Sequence, residues 1–301
     1  MINLNKKNQK FLITGGTGFI GSKLVKEILE DSHEVTVLTR NQKLLKAKDK
    51  VKYINKLDEK FNYDIVINLC GELISQRWTR NKKKEIYDSR IDITKKLAKI
   101  IKNSKTPPNL IISGSAVGYY GTSQNQIFDE ETAPTNQNLF SQNLCKDWEN
   151  SASTISAKSR LVIIRTGVVI GKNGGIIKKM LTPFKFGLGG KIGSGGQYLS
   201  WIFLDDVIGA INHIINDDNL SGPINLTSPK AVTNKIFSQA LAKLLNRPCF
   251  FKMPSFLVKI IFGQMADELL LGGQNVIPKK LLQSGYIFKV KDIEDALKNS
   301  I

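Results

Sequence analysis

The first half of the chain alternates short apolar runs with longer stretches whose apolar positions recur at helical spacing. Six of the apolar runs have the length of strands, namely Lys10–Thr14, Glu34–Thr39, Val51–Ile54, Asp64–Leu69, Asn109–Ser113 and Leu161–Arg165. Two stretches among the last three of these predict helices, near Lys82–Asn103 and Leu139–Ala157. Strands that alternate with helices form a parallel sheet covered on both faces. The pattern therefore predicts a doubly wound α/β fold.

Three glycines, Gly15, Gly18 and Gly21, follow the first predicted strand directly. Glycines at this spacing permit a tight turn, a close approach of the backbone to a pyrophosphate, and close packing of helix on strand. The helix that follows offers free N–H groups and a positive dipole end to phosphates. Glycines also mark ordinary turns, but the order strand, glycines, helix, strand favours a Rossmann dinucleotide site. The candidate cofactor-binding residues here are Gly15, Thr17, Gly18, Phe19, Ile20 and Gly21.

The end of the second predicted strand distinguishes the two nicotinamide cofactors. NAD sites carry an acidic residue about 20 positions after the glycines, to bind the ribose hydroxyls. This chain has Thr39, Arg40 and Asn41 there, with no carboxylate. A guanidinium suits the 2′-phosphate of NADP(H), whereas a merely solvated arginine is the alternative interpretation. We therefore predict NADP(H), with Arg40 as a binding residue.

The fourth predicted strand leads into three further candidate cofactor residues, Leu69, Gly71 and Glu72. They lie where the carboxyl edge of a parallel sheet binds ligands. An ion pair between Glu72 and Arg77 that only fixes this loop is the alternative.

The texture of the chain changes after Gly167. Six glycines lie between positions 187 and 196, which indicates a mobile or tightly turning loop beside a ligand. The region from about Thr233 to Leu297 is predicted to be mainly helical. We predict an NADP-binding Rossmann domain made of residues 1–166 and 201–228. A smaller, mainly helical C-terminal lobe that binds substrate would comprise residues 167–200 and 229–301.

The net charge and the composition limit the kinds of binding partner that we expect. The formal net charge is +18, but the lysines are spread along the chain without a nucleic-acid motif. The excess favours anionic small-molecule ligands over a specific nucleic acid, and non-specific polyanion binding is the alternative.

Cysteine usage and hydropathy bear on the compartment. Cys70, Cys145 and Cys249 have no metal-ligand spacing, and their odd number argues against a disulfide framework. The N-terminus lacks an apolar signal core, and the apolar run Leu257–Phe262 is too short to span a bilayer. We expect a cytoplasmic protein with no metal site and no membrane partner.

Several strings resemble the extended short-chain dehydrogenases/reductases, the group that includes sugar-nucleotide epimerases and dehydratases. The glycines have that group's GxxGxxG spacing. Six segments of this chain resemble one atypical branch of the group, namely Asn68–Glu72, Arg77–Thr79, Asp88–Arg90, Ser113–Gly121, Arg165–Val169 and Gly189–Gly195. The C-terminal part resembles the small domain of that branch at Arg247-Pro248, Met253-Pro254, Pro278 and Gly285–Phe288. The resemblance covers essentially the whole chain and implies an NADP-dependent epimerase-like protein. Plant and cyanobacterial members of the branch are associated with cell or plastid division.

The resemblance also implies a catalytic pattern that this chain does not keep. The superfamily uses a tyrosine as acid/base, a lysine four residues later that lowers the tyrosine's pKa, and a serine that binds the substrate oxygen. Ser115 matches the serine, although the turn to Gly121 is one residue longer than usual. Counting back from Glu149 puts Ser141 in the tyrosine position and Cys145 in the lysine position. The usual pair is absent.

Three hypotheses follow for the catalytic residues. Tyr119 or Tyr120 acts as the acid/base beside Ser115, or Cys145 takes part directly or senses redox state, or the protein binds nucleotide without turnover. Simple packing is the alternative for Cys145. The predicted function is an NADP(H)-binding oxidoreductase or epimerase-like protein that acts on a small substrate, which is either anionic or nucleotide-linked. A catalytically idle regulatory or scaffold protein linked to cell division is the alternative, and oligomerisation stays open.

Overall fold

A parallel sheet of seven strands is the centre of the part that the computed structural model describes, namely residues 8–47, 49–57, 61–135, 137–155 and 157–301. In chain order the strands are β1 (Lys10–Thr14), β2 (Glu34–Leu38), β3 (Val51–Ile54), β4 (Ile65–Asn68), β5 (Leu110–Ala116), β6 (Arg160–Thr166) and β7 (Gly222–Leu226). Their order across the sheet is β7-β6-β5-β4-β1-β2-β3. The order in which successive strands are added to the sheet therefore reverses between β1 and β4, and doubly wound sheets bind ligands at such a switch point.

Helices and shorter elements connect and cover these strands. The α-helices are α1 (Phe19–Glu30), α2 (Arg80–Asn103), α3 (Phe140–Ser153), α4 (Gly175–Lys185), α5 (Leu204–Asn216), α6 (Asn234–Leu244), α7 (Ser255–Phe262), α8 (Lys279–Gln283) and α9 (Ile293–Lys298). Short strands lie at Ile127–Phe128, Val168–Ile170, Gly190–Ile192, Tyr198–Leu199, Trp201–Phe203, Val232–Thr233, Phe251–Met253 and Asn275–Val276, with 3₁₀ turns at Leu44–Lys46 and Val117–Tyr120 and a π-helical turn at Ala266–Leu270. None of the helices placed by the structure is both long and apolar enough to cross a bilayer.

Both faces of the sheet are buried, which explains why its strands are continuous apolar runs. Successive residues of a strand point to opposite faces. Phe11 belongs to the core that contains Leu24 of α1, whereas Leu12 belongs to the core that contains Leu97 of α2. Helices therefore cover the sheet on its two sides.

The predicted doubly wound fold is confirmed, with corrections at its margins. The six predicted strands are all present, and β5 continues to Ala116. Helix α3 ends at Ser153, earlier than the predicted Ala157, and residue 156 of the predicted span lies outside the described residues. Strand β7 is not among the predicted strands, because it begins with Gly222 and Pro223, which usually mark turns. Proline is tolerated there because β7 is an edge strand.

The C-terminal region is less purely helical than predicted. It contains α6 to α9, but two short strands, Phe251–Met253 and Asn275–Val276, lie among them. A second apolar core joins Phe237 and Leu241 of α6 with Ile293 and Leu297 of α9. The boundaries proposed above for the two lobes remain predictions.

A buried carboxylate joins the C-terminal region to the sheet. Asp206, in the first turn of α5, is fully buried and accepts hydrogen bonds from the backbone N–H groups of Lys289 (2.7 Å) and Val290 (3.0 Å). The Tyr286 hydroxyl donates a third at 3.1 Å. Asp205 and Asp206 both lie in the first turn of α5, which begins after the N-cap residue Phe203.

Replacing this carboxylate should destabilise the fold. Asp206→Ala leaves the N–H groups of Lys289 and Val290 without their acceptor, so we expect a loss of about 3 kcal/mol in the free energy of unfolding. The Tyr286 hydroxyl keeps an acceptor, because it also donates to the carbonyl oxygen of Asp206 at 3.1 Å. Asp205→Ala is the matched control on the same turn, since Asp205 is partly exposed and forms an ion pair with Lys23. It should cost less than about 1 kcal/mol. Chemical denaturation measures both, and equal losses would contradict the role given to Asp206.

Candidate cofactor and active site

The carboxyl ends of four strands bring the predicted site residues to one edge of the sheet. Thr14 of β1 is level with Leu38 of β2 and Asn68 of β4, and Asn68 is level with Ser113 of β5. The glycine turn, Arg40, the loop after β4 and Ser115 all follow these positions in the chain. Residues that are far apart in sequence therefore share one edge.

The turn after β1 has no room for side chains. Gly15 has a φ of +72°, and a Cβ atom there would lie 2.6 Å from the carbonyl oxygen of Leu69. A Cβ atom on Gly21 would lie 2.3 Å from the carbonyl oxygen of Gly15. Helix and strand thus approach each other closely enough that only glycine fits, as a dinucleotide-binding turn requires.

The start of α1 suits an anion. The helix begins at Phe19 after the N-cap residue Gly18, no side chain of the described residues caps it, and its first turn contains no acidic residue. Thr17 is exposed at the turn, and Phe19 and Ile20 are half-buried. The N–H groups of a first helical turn have no partner within the helix, so they can bind phosphate oxygens.

Arg40 lies two residues beyond β2 with its side chain 91% exposed, and its Nη2 atom lies 3.6 Å from Oε2 of Glu72. The alternative ion pair between Glu72 and Arg77 is wrong, because Arg77 donates instead to the carbonyl oxygens of Ile260 (2.8 Å) and Ile261 (3.1 Å). Arg40 and Glu72 therefore face each other across the predicted adenosine end of the site.

Arg90, which is not among the predicted site residues, holds the loop after β4. Arg90 of α2 is buried and donates to the carbonyl oxygen of Glu72 at 3.0 Å. Its guanidinium carbon lies 2.7 Å from where a Cβ atom on Gly71 would be. A side chain at position 71 would therefore displace the Arg90 guanidinium, which holds the loop through its hydrogen bond to Glu72.

Ser115 rests on a buried ion pair. Its hydroxyl donates to Oε1 of Glu149 at 2.7 Å. Arg165 donates to both oxygens of that carboxylate, at 2.9 Å and 2.8 Å. Burial lowers the pKa of Arg165, but the hydrogen bonds and charge of Glu149 outweigh it and raise the pKa above its usual value. Glu149 and Arg165 were noted only as parts of motifs, since their meeting depends on how α3 packs beside β6.

The two candidate tyrosines differ in their surroundings. The guanidinium carbon of Arg165 lies 3.5 Å from the ring centroid of Tyr119, which is half-buried. Tyr120 is fully buried, donates to Oδ1 of Asn225 at 2.9 Å and accepts from Arg165 at 3.0 Å. Burial raises the pKa of Tyr120. These contacts give Tyr120 a structural task, whereas Tyr119 keeps part of its surface accessible.

Small side chains occupy the positions of the usual tyrosine and lysine. The backbone N–H and the hydroxyl of Ser141 donate to Oε2 of Glu268, at 2.8 Å and 2.7 Å, so a carboxylate from the C-terminal region caps the start of α3. A Cβ atom on Gly118 would lie 3.5 Å from Sγ of Cys145. The 3₁₀ turn that carries Tyr119 therefore packs against α3 at the place where the larger side chains of a tyrosine and a lysine would project.

Cys145 itself is 4% exposed, and burial raises the pKa of its thiol to about 12. A buried thiol with this pKa is protonated at neutral pH and is a poor nucleophile. The surroundings support packing rather than direct chemistry for this residue.

The sheet order, the glycine turn and the serine at the end of β5 define a dinucleotide-binding protein of the short-chain dehydrogenase/reductase class. The chain belongs to the NAD dependent epimerase/dehydratase family, which residues 11–226 match, and residues 253–300 match a domain of unknown function, DUF1731. The family resemblance inferred from the sequence is confirmed.

Relatives cover nearly the whole chain. The chloroplastic epimerase family protein SDR39U1 homologue of Arabidopsis thaliana is 36% identical over 95% of this chain and 85% of its own length. The epimerase family protein YfhF of Bacillus subtilis is 35% identical over 96% and 97%. The crystal structure of human SDR39U1 with NADPH is 35% identical, with a TM-score of 0.87 over 96% of this chain and 98% of its own.

The rate of alkylation should distinguish Cys145 from Cys70. At pH 8 only roughly one Cys145 thiol in ten thousand would be ionised, so we expect iodoacetamide to label it at least about tenfold more slowly than the half-buried Cys70. Peptide mapping by mass spectrometry would measure the rates, with the protein in denaturant as the positive control. Rapid labelling of native Cys145 would restore it as a candidate nucleophile.

Proposed function

We propose that this chain binds NADP(H) and transfers hydride between the nicotinamide and a small, nucleotide-linked substrate. The observation that carries the proposal is the Glu149–Arg165 ion pair, which contacts both Ser115 and Tyr119. Two groups suited to oxygen binding and proton transfer are thereby fixed at the edge of the sheet where the glycine turn also lies.

Cofactor binding is supported by residues of this chain. The glycine turn excludes side chains, the start of α1 can bind the pyrophosphate, and Arg40 is free enough to turn toward a 2′-phosphate. The human relative was crystallised with NADPH. When bound, the cofactor supplies the centre that gives or takes hydride.

The hydrogen bonds of Ser115 define what it can do. Its proton is directed to Glu149, so its oxygen is left to accept a hydrogen bond from a substrate hydroxyl. The phenolate form of Tyr119 would take the proton of that hydroxyl as hydride leaves the same carbon, and the neutral phenol would return the proton in the reverse direction. The Arg165 cation lies on the face of the ring and attracts the negative charge of the phenolate.

A second candidate function is a catalytically idle NADP(H)-binding regulator. It is favoured by the replacement of the usual pair with Ser141, which Glu268 holds, and Cys145, which is buried. A regulator would bind NADPH with no turnover on any substrate, and its partner binding would depend on the cofactor.

The cofactor assignment predicts a charge effect at Arg40. Arg40→Asp should weaken NADPH binding by about 100-fold, because it removes a charge-assisted contact and adds a repulsive carboxylate, and should leave NADH binding nearly unchanged. Fluorescence titration with both cofactors measures this. Lys46→Asp, on the neighbouring 3₁₀ turn, is the control with the same change of charge. Equal weakening in both variants would point to general electrostatics and away from a 2′-phosphate contact at Arg40.

The catalytic assignment predicts opposite effects at the two tyrosines. Tyr119→Phe should lower kcat by about 100-fold or more without loss of stability, since general acid–base catalysis contributes at that scale. Tyr120→Phe should cost roughly 1–3 kcal/mol of stability, because it leaves Asn225 without its donor, and should change kcat less.

A panel of nucleoside-diphosphate sugars with NADP⁺, followed at 340 nm, supplies the assay, and thermal denaturation supplies the stability. Unchanged kcat in Tyr119→Phe would contradict the assignment. Absence of turnover in the wild type, together with NADPH binding, would favour the regulator.

A further inference from the structure

An apolar patch on the C-terminal lobe is exposed to a degree unusual for this chain. Six large apolar side chains, each more than half exposed, form what we call the apolar patch: Phe186, Leu188, Phe250, Phe256, Ile260 and Ile261. Among the residues that the structure places, only Leu73, Ile127 and Ile287 reach the same exposure elsewhere. Large apolar side chains concentrated on one surface mark a site of interaction.

The elements that carry the patch are joined to one another. The strand Phe251–Met253 pairs in parallel with Gly190–Ile192, so Phe250 and the segment after α4 lie side by side. A Cβ atom on Gly187 would lie 3.8 Å from Cγ of Pro248. Pro254 connects the strand to α7, where Phe256 and Ile260 are four residues apart and share one helical face.

Charge identifies the kind of partner. The segments 150–204 and 219–266, which carry the whole patch, contain 14 lysine and arginine residues and neither aspartate nor glutamate. Five of the 14 pair with carboxylates outside these segments, namely the buried Arg165 and also Arg160, Lys230, Lys243 and Lys259. Lys185, Arg247, Lys252 and Lys259 are exposed among or beside the patch residues. Lys259 is partly neutralised by Asp267, 2.8 Å away. The surface as a whole combines apolar side chains with an excess of positive charge.

Two other occupants fit this combination less well. A second copy of the chain would bring this basic surface against its own symmetry mate, with like charges facing each other. A nucleic acid would satisfy the lysines, but Leu188, Ile260 and Ile261 cannot stack on bases as aromatic side chains do. An anionic lipid surface satisfies both features, because the aliphatic and phenyl groups enter the acyl boundary while the lysines contact the headgroups.

We propose that the apolar patch binds reversibly to the surface of an anionic bilayer. Phe186, Leu188 and Phe250 enter the interface from the strand end of the patch, and Phe256, Ile260 and Ile261 enter from α7. The expectation of no membrane partner rested on the lack of a spanning segment, and this surface would lie on a bilayer without crossing it.

Vesicle co-sedimentation of the full chain tests the proposal. We expect about tenfold or greater binding to vesicles that contain phosphatidylglycerol than to vesicles of phosphatidylcholine alone, weakened by added salt. Phe250→Ser combined with Phe256→Ser should reduce this binding by about tenfold. The matched control combines Ile127→Ser with Ile287→Ser, which changes two equally exposed apolar residues elsewhere. It should bind like the wild type.

A charge pair completes the design. Lys185→Glu with Lys252→Glu should reduce binding by about tenfold, whereas Lys95→Glu with Lys99→Glu on α2 should reduce it much less. Equal binding to neutral vesicles, or no effect of the patch variants, would overturn the proposal. The proposal would also be overturned if light scattering showed that the wild type is an oligomer and that the patch variants are monomers. The same holds if the wild type bound DNA and the patch variants did not. Retained NADPH binding would show that each variant is folded.

Discussion

The contact between Glu149 and Arg165 is the interaction on which the candidate site depends. Both side chains are buried, and two hydrogen bonds join them. Such a pair contributes little net stability, but removing one partner leaves an uncompensated buried charge at a cost of about 3–5 kcal/mol. The pair joins α3 to β6 and aligns Ser115 and both tyrosines. The polar pair thus positions the candidate site residues, which an apolar pair of the same volume could not do through hydrogen bonds.

The usual acid/base pair has been replaced by a different arrangement of the same space. Ser141 and Cys145 are small, so the 3₁₀ turn with Gly118 can lie against α3. Glu268 accepts a hydrogen bond from the backbone N–H of Ser141 at the start of α3 and so links the C-terminal region to this helix. Tyr119, the tyrosine of the proposed function, comes from the 3₁₀ turn after β5 instead of from α3.

Local patterns made much of the fold predictable. Apolar runs and the glycine turn are encoded within a few residues, so the strands from β1 to β6 and the nucleotide turn could be read directly. Strand β7 could not, because Gly222 and Pro223 resemble a turn until the neighbouring β6 is known. The long-range contacts escaped for the same reason: Asp206 with Val290, and Arg90 with Gly71, join segments whose sequences give no sign of each other. The pairing of Glu72 with Arg40 and not with Arg77 likewise depends on where separate loops end.

The buried carboxylate of Asp206 also bears on how the chain folds during synthesis. Its partners Lys289 and Val290 lie 83 and 84 residues further along the chain, and Phe288 belongs to the core of the main sheet. An N-terminal portion made first would hold a carboxylate in an apolar setting without its donors. The sheet therefore cannot reach its final stability before the segment around Val290 has been made and has packed against α5.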